Sequence, residues 1–452
     1  MWQHLATMMH PDTIHKLGTF RSELYMLFGK RADALFELCD AAITAGLSPS
    51  MVYLSLEAIH RRGWGSLYAA LAEGQIDAEG LKSLLSRHPL ADGQPIYAVD
   101  VTTWPRCDAE ASPDRGFYYH PSRHSAGQPI VAGWAYQLIS QLGFARDSWT
   151  APLDARRLHP SEEVGAVAVE QIKALVARLP AQGTVPLFVF DTGYNSVELA
   201  EGLKDTPVAL LVRLRSDRCF YADPPPPKKR VGRPRRHGAK FAFKAPSTWP
   251  EPSDELRIED EQYGPVRVRA WEGLHAAPQN HPTRGTGGPR PIARGTVILV
   301  EVSRLPGRRR KPQLLWLFYF GPAQPDLGVV WRAYIRRFDL EHTIRFFKQT
   351  LNWITPRVRH PEQADRWTWL IVAAYTQLRL ARACVADRRL PWERSLEPGK
   401  LTPYRVRRAF SSLLMALGTP ANAPKPCGRS PGRPKGRRSG RATRYPALKK
   451  AA

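Results

Sequence analysis

Between residues 95 and 216, short apolar runs alternate with helix-patterned stretches, and this alternation limits the fold more than any other feature. Ile96-Tyr-Ala-Val-Asp-Val is a β-prone run that begins just after Pro95. Ile130-Val-Ala-Gly-Trp-Ala-Tyr-Gln-Leu-Ile predicts a second strand, with a kink at Gly133. Val164, Val167, Val169, Ile172, Leu175 and Val176 then recur at helical spacing within 162–179. Val185-Pro-Leu-Phe-Val-Phe predicts a buried strand whose start, at Pro186, is an edge or first position. A short helix over 197–203 and the run Val208-Ala-Leu-Leu-Val-Arg-Leu complete the series. Strands alternating with helices imply an α/β domain.

At 452 residues the chain exceeds one ordinary core. Its flanks divide it further. Residues 1–92 carry apolar residues at three-and-four spacing, as in Ser22-Glu-Leu-Tyr-Met-Leu-Phe and Ala32-Asp-Ala-Leu-Phe-Glu-Leu, and predict a helical N-terminal domain; Ser48-Pro-Ser opens another such unit. The α/β domain occupies 93–216. A β-rich insertion over 217–312 interrupts it, with the Pro-rich basic loop that starts at Asp223 and the strand-like runs Val266-Arg-Val-Arg-Ala-Trp and Thr296-Val-Ile-Leu-Val-Glu-Val. Residues 313–390 return to the main domain through the strand Gln313–Phe320 and then turn helical, with a break near Thr355-Pro356. The C-terminal segment, 391–452, ends in a Gly/Pro/Arg-rich stretch without acidic residues, expected to be disordered.

An apolar share of 43% is ordinary for a folded protein, but Lys+Arg 66 against Asp+Glu 41 gives a net charge of +25. An excess of that size is the footprint of a polyanion partner, because each neutralised phosphate releases condensed counterions. Ribosome, heparin and anionic-membrane surfaces share that attraction. The five cysteines, Cys39, Cys107, Cys219, Cys384 and Cys427, form no Cys-x-x-Cys pair, which argues against a disulfide framework and fits a reducing compartment. No basic region followed by an apolar core opens the chain, and no run of about 18 apolar residues occurs. The expectation is a soluble, intracellular protein with no membrane partner.

Three carboxylates stand out by position. Asp100 closes the first β-run, and Asp191 follows directly on Phe190, ahead of Thr192-Gly193-Tyr194. Ligands gather at strand ends in α/β sheets. Either aspartate alone reads more readily as a solvated turn or cap than as a ligand. The third element is the helical stretch 334–348. Tyr334, Arg337, Glu341 and Lys348 fall within about 60° of one another at 100° per residue. Leu340, Ile344, Phe347 and Leu351 form an adjacent apolar stripe. A charged face held by ion pairs of Glu341 with Arg337 and Arg345 would use the same residues. A tyrosine and two cations beside one carboxylate suit phosphate handling better.

The spacing Tyr334-x2-Arg337-x3-Glu341-x6-Lys348 resembles the YREK signature of insertion-sequence transposases of the DDE class. Asp100 in its β-run is similar to the first family aspartate, and Asp191-Thr-Gly-Tyr194 to the second motif; the likeness covers about 95–385. It implies an RNase H-like mixed sheet with flanking helices, interrupted by the insertion and preceded by the all-α domain. It also implies that Asp100, Asp191 and Glu341 are catalytic and hold two Mg²⁺ ions, with Mn²⁺ able to substitute. Tyr334, Arg337 and Lys348 would contact DNA phosphates. The implied activity is cleavage at insertion-sequence ends and strand transfer into target DNA. Double-stranded DNA would be the partner, a homodimer would form in the DNA complex, and the setting would be bacterial cytoplasm at the nucleoid. Hard divalent cations want oxygen ligands, and paired ions serve both the attacking and the leaving oxygen of phosphodiester chemistry. An RNase H-like endonuclease without joining activity, or a non-catalytic DNA-binding protein, would share parts of this pattern.

Two Gly-Arg-Pro cores centred on Arg233 and Arg433 resemble AT-hooks, or equally serve as sequence-independent phosphate binders. Cys107, His120 and His124 have a finger-like spacing but lack a second nearby cysteine, so no zinc site is expected. Trp104, Trp316 and Trp353 are expected in the core rather than against a base.

Overall fold

The computed structural model describes residues 11–46, 50–90, 95–119, 129–180, 183–226, 235–277, 292–303, 313–397, 399–426, 432, 434–436 and 440–449. The N-terminal helices are α1 (Pro11–Met26), α2 (Ala32–Thr44), α3 (Trp64–Glu73) and α4 (Ala78–Ser86). The unit expected from Ser48 begins as a single 3₁₀ stretch, Met51–Leu56. Strands β1 (Ile96–Pro105), β2 (Gly116–Tyr119), β3 (Ile130–Leu142) and β4 (Thr150–Leu158) follow. Next come α5 (Val164–Val176), β5 (Leu187–Phe190), α6 (Ser196–Leu203) and β6 (Ala209–Leu214). The insertion supplies β7 (Cys219–Tyr221), β8 (Lys240–Ala242), β9 (Asp254–Asp260), β10 (Gly264–Ala276) and β11 (Arg294–Val302). The chain continues through β12 (Gln313–Phe320), α7 (Leu327–Arg336), α8 (Phe338–Gln349), α9 (Pro361–Leu380) and α10 (Pro403–Leu417).

The strands form one sheet in the order β2-β3-β1-β5-β6-β12-β11-β10-β7-β8, with β4 on β3 and β9 on β10. β1, β5 and β6 run parallel, while β3 is antiparallel to β1 and β4 antiparallel to β3. That is the RNase H-like arrangement expected from the sequence. The insertion is not a second sheet: β11 pairs with β12, which pairs with β6, so its strands extend the main one. Gly133 stands where β1 and β2 flank β3, and a Cβ there would lie 2.2 Å from the Trp104 carbonyl oxygen. Close backbone approach demands the glycine.

Side chains alternate across a strand. Val101 packs on one face against Val164 of α5 and Val167, while Asp100 points to the other, where α8 lies. The insertion carries its own aromatic core, in which Phe243 stacks on Trp316 at 4.2 Å and Phe241, Trp249 and Trp271 enclose them. Trp104 and Trp353 are likewise buried, against Trp134 and Tyr136.

The N-terminal helices share one apolar cluster with the α/β part. Helix α9 is buried nearly all round, and α1, α2 and α3 pack on it. A fully buried ion pair fixes that contact. Arg21 donates to both carboxylate oxygens of Asp40 at 2.7 and 2.8 Å, and also to Gln377 of α9 and the Gly418 carbonyl.

One expectation needs correction. Residues 334–348 are not one helix: α7 ends at Arg336 and α8 begins at Phe338. Arg337 keeps helical angles, but its N–H is shared between the Ala333 and Tyr334 carbonyls, and Leu340 N–H bonds back only three residues to Arg337. Such three-residue bonding tightens the turn and offsets the two segments. The basic tail, expected to lack structure, is tied down over Tyr445–Leu448. Arg115 donates to the Tyr445 carbonyl, Leu448 N–H donates to the Arg115 carbonyl, and Leu448 bridges Gly116 at the outer edge of β2. No helix among the described residues is long and apolar enough to cross a membrane.

Candidate active site

Pairing in the sheet lines up the polar residues. Val99 of β1 is opposite Phe190 of β5, and Phe190 is opposite Val212 of β6. The next residues are Asp100, Asp191 and Arg213, so these three form a row where the parallel pairing of β1, β5 and β6 ends; Asp100 does not close its strand, as the sequence suggested, because β1 runs on to Pro105 against β3. Strand ends such as that of β5 leave side chains facing a crevice.

The helices complete the row from above. Tyr334 hydroxyl lies 3.5 Å from Asp191 Oδ1 and accepts a bond of 3.1 Å from Arg213 Nη1. Arg337 Nη1 is 3.3 Å from Asp100 Oδ2, and its Nη2 is 2.8 Å from Glu341 Oε1. Asp100 Oδ1 accepts the Val101 N–H at 2.8 Å. The Asp100 and Glu341 carboxylates are 22% and 40% exposed, against 3% for Arg337. The acids therefore open outward and the guanidinium lies beneath them.

Burial pushes Asp100 up to about 6; Arg337 and the Val101 N–H oppose the shift, and the charges of Glu341 and Asp191 add to it. Burial disfavours the Arg337 charge, but Tyr334, Asp100, Asp191 and Glu341 outweigh it and hold the guanidinium above its ordinary value. Burial brings Lys348 down to about 8, with the Asp100 charge acting the other way. Tyr334 is raised by burial, against Arg337 and Arg213.

All six predicted site residues on the sheet and helices thus converge. Arg233 and Arg433 lie outside the described residues, as do His120 and His124; Cys107 is a free thiol. Arg213 was missed by sequence reasoning. Its signal was a lone arginine in an otherwise apolar strand, where a charge needs a polar reason.

The donor set is all carboxylate oxygen, which is what a hard divalent ion requires. Asp100 also feels the charges of both Glu341 and Asp191. As they stand, no three acidic, histidine or cysteine side chains among the described residues are grouped closely enough to hold an ion. The Arg337 guanidinium stands between two of them in the place of that positive charge. The chemistry fits, with an internal cation as stand-in.

An RNase H-like sheet with one aspartate midway along β1, a second just past the adjacent parallel strand β5 and a glutamate on a later helix fits a DDE-type nuclease. The comparison with protein families agrees: the DDE superfamily endonuclease family matches residues 23–277, more than half of the chain, and the chain belongs to it. The matched segment holds Asp100 and Asp191 and ends before Glu341. No curated protein sequence matches. Membership makes this a DNA-cleaving protein of the nuclease and transposase type, acting on DNA, and DDE-type endonucleases generally use divalent metal ions.

Proposed function

We propose that the chain is a transposase that cuts DNA at the ends of an insertion sequence and joins those ends to target DNA. The observation that carries this reading is the placing of Asp100 on β1 beside Asp191 just past β5, with Arg337 joining Asp100 to Glu341 of α8. Tyr334, Arg337, Glu341 and Lys348 then serve as the YREK signature.

Asp100, Asp191 and Glu341 would hold two divalent ions, Mg²⁺ or Mn²⁺, which supply Lewis-acid charge to the attacking and departing oxygens. The remaining work falls to the chain itself. Arg213, Arg337 and Lys348 offer cations to the non-bridging phosphate oxygens, where charge develops in the transition state. Tyr334, held by Arg213, fixes the phosphate's orientation. Water first displaces the 3′-oxygen of the element's end, leaving a 3′-hydroxyl. That hydroxyl attacks a target phosphodiester and expels its 3′-oxygen, so one bond forms as one breaks. Bringing two ends together calls for two copies of the chain on DNA. Arg233 and Arg433 in their Gly-Arg-Pro cores add DNA contacts, and the setting is the bacterial nucleoid.

The test is a cleavage and strand-transfer assay with Mg²⁺ or Mn²⁺ on DNA flanking the encoding gene. Wild type should cut and join. Asp100→Asn, Asp191→Asn and Glu341→Gln should still bind DNA while both rates fall at least about a hundredfold, as for loss of one transition-state contact. Cutting without joining would replace the proposal with a nuclease. Activity indifferent to all three substitutions would sink the site.

A further inference from the structure

Arg337 does more than border the acidic cluster. Its two terminal nitrogens engage Asp100 and Glu341 at once, and its Nε has no hydrogen-bond partner among the described residues. The rings of Tyr334 and Phe338 cover the guanidinium at 5.7 and 4.9 Å from their centroids. The charge is therefore fixed from two sides by carboxylates and from two by aromatic faces.

Arg337 takes one oxygen of each carboxylate, Asp100 Oδ2 and Glu341 Oε1, so a divalent ion bridging the two acids competes with the guanidinium for those oxygens and is repelled by its charge. Among groups that could draw a guanidinium away, a DNA backbone phosphate is the best matched, because its two non-bridging oxygens accept the same forked pair of N–H donors as a carboxylate. Release requires the guanidinium to move outward, since Arg337 is 3% exposed beneath the more open Asp100 and Glu341, at the tight junction between α7 and α8.

We propose that Arg337 is an interlock, holding Asp100 and Glu341 closed to divalent metal in the free protein and releasing them when a backbone phosphate of bound DNA takes the guanidinium. The proposal rests on the reading of Asp100, Asp191 and Glu341 as the metal-holding set. Its consequence is order: DNA is bound first and the site is loaded second, so an idle enzyme carries no armed centre. Linkage makes the effect reciprocal, and metal strengthens DNA binding by the same factor that DNA strengthens metal binding.

The experiment measures Mn²⁺ binding to the full chain by electron paramagnetic resonance, without DNA and with a duplex of arbitrary sequence. Without DNA, Arg337→Gln should bind Mn²⁺ about tenfold or more tightly than wild type, a typical size for coupling between two sites. With DNA the gap should close, because wild type tightens and the variant has no lock to release. Arg337→Lys, which keeps the charge but not the fork, should fall between them and serves if the glutamine variant does not fold. Equal Mn²⁺ affinity of wild type and folded Arg337 variants without DNA overturns the interlock. Asp100→Asn in the Arg337→Gln background separates the two ideas. If it removes the gained binding, the metal site stands whatever becomes of the lock. If Mn²⁺ binding ignores both Asp100→Asn and Glu341→Gln, the metal-site reading has failed instead.

Discussion

Replacing Asp40 by alanine should be among the most damaging single changes in the molecule, although it lies on an N-terminal helix. The Asp40 side chain is fully buried and receives two hydrogen bonds from Arg21, which is itself 2% exposed. Removing the carboxylate strands a guanidinium whose remaining acceptors are the neutral Gln377 side chain and the Gly418 carbonyl. Breaking one side of a buried pair costs about 3–5 kcal/mol, against a typical total of about 5–15 kcal/mol for a folded domain. Urea unfolding followed by circular dichroism should show the midpoint falling with the slope unchanged. Arg21→Met with Asp40→Leu together should recover most of the loss, since an apolar pair of similar volume replaces a buried ion pair at little cost. Because α1 and α2 share their apolar cluster with α9, the loss should appear in one transition that takes the whole chain. A cost below about 1 kcal/mol, or a separate early transition for the N-terminal helices, would refute the reasoning.

Three further outcomes follow from the site and its surroundings. Arg213→Ala and Tyr334→Phe should each slow DNA cleavage, and their double variant should be no slower than the worse single one, since the arginine acts by holding the hydroxyl; additive losses would show independent roles. Asp100, with its value near 6, must lose its proton before it can hold a cation, so at limiting metal the cleavage rate should drop about tenfold per pH unit below that point; a flat profile from pH 5 to 8 would exclude it. Asp339 is pushed up to about 7 by burial, with Asp147 adding and Arg336 opposing. A carboxyl raised in the folded state contributes stability that is fully present below the unfolded value and lost as pH rises through the folded one. Thermal stability should therefore decline between about pH 4 and 7, and Asp339→Asn should flatten that decline; an unchanged slope in the variant would count against it.

Asp191, which follows directly on its apolar run, needed only periodicity to be read, whereas the strand holding Asp100 was read too short, since it runs on to Pro105. Residue spacing on one helical face brought Glu341 in beside Tyr334 and Lys348. What the sequence could not carry was registration between strands. The row that aligns Asp100, Asp191 and Arg213 depends on which strands are neighbours and how far each has slid, and both are settled by tertiary packing. Arg213 therefore passed as one more residue of an apolar run. The wheel over 334–348 grouped the right residues but assumed an unbroken helix. The turn at Arg337 leaves its guanidinium between Asp100 and Glu341, and no local pattern records that. Helix α9 was legible as a helix yet not as the element that joins the N-terminal helices to the sheet, because a helix that is apolar all round shows burial without showing what buries it.

The bridge between Leu448 and Gly116 bears on how this protein behaves when crowded. β2 ends the sheet, and an end strand offers unpaired N–H and C=O groups to any passing extended chain. At the opposite end β8 has three residues, two of them Lys240 and Phe241, and is too short to recruit much. At the β2 end the chain supplies its own stopper, seated by Leu448 and steadied by Arg115, with Arg444 and Glu110 paired alongside. A molecule with this stopper displaced would present an adhesive margin, and the segment that best fits that margin is the same stretch of tail from a neighbouring copy.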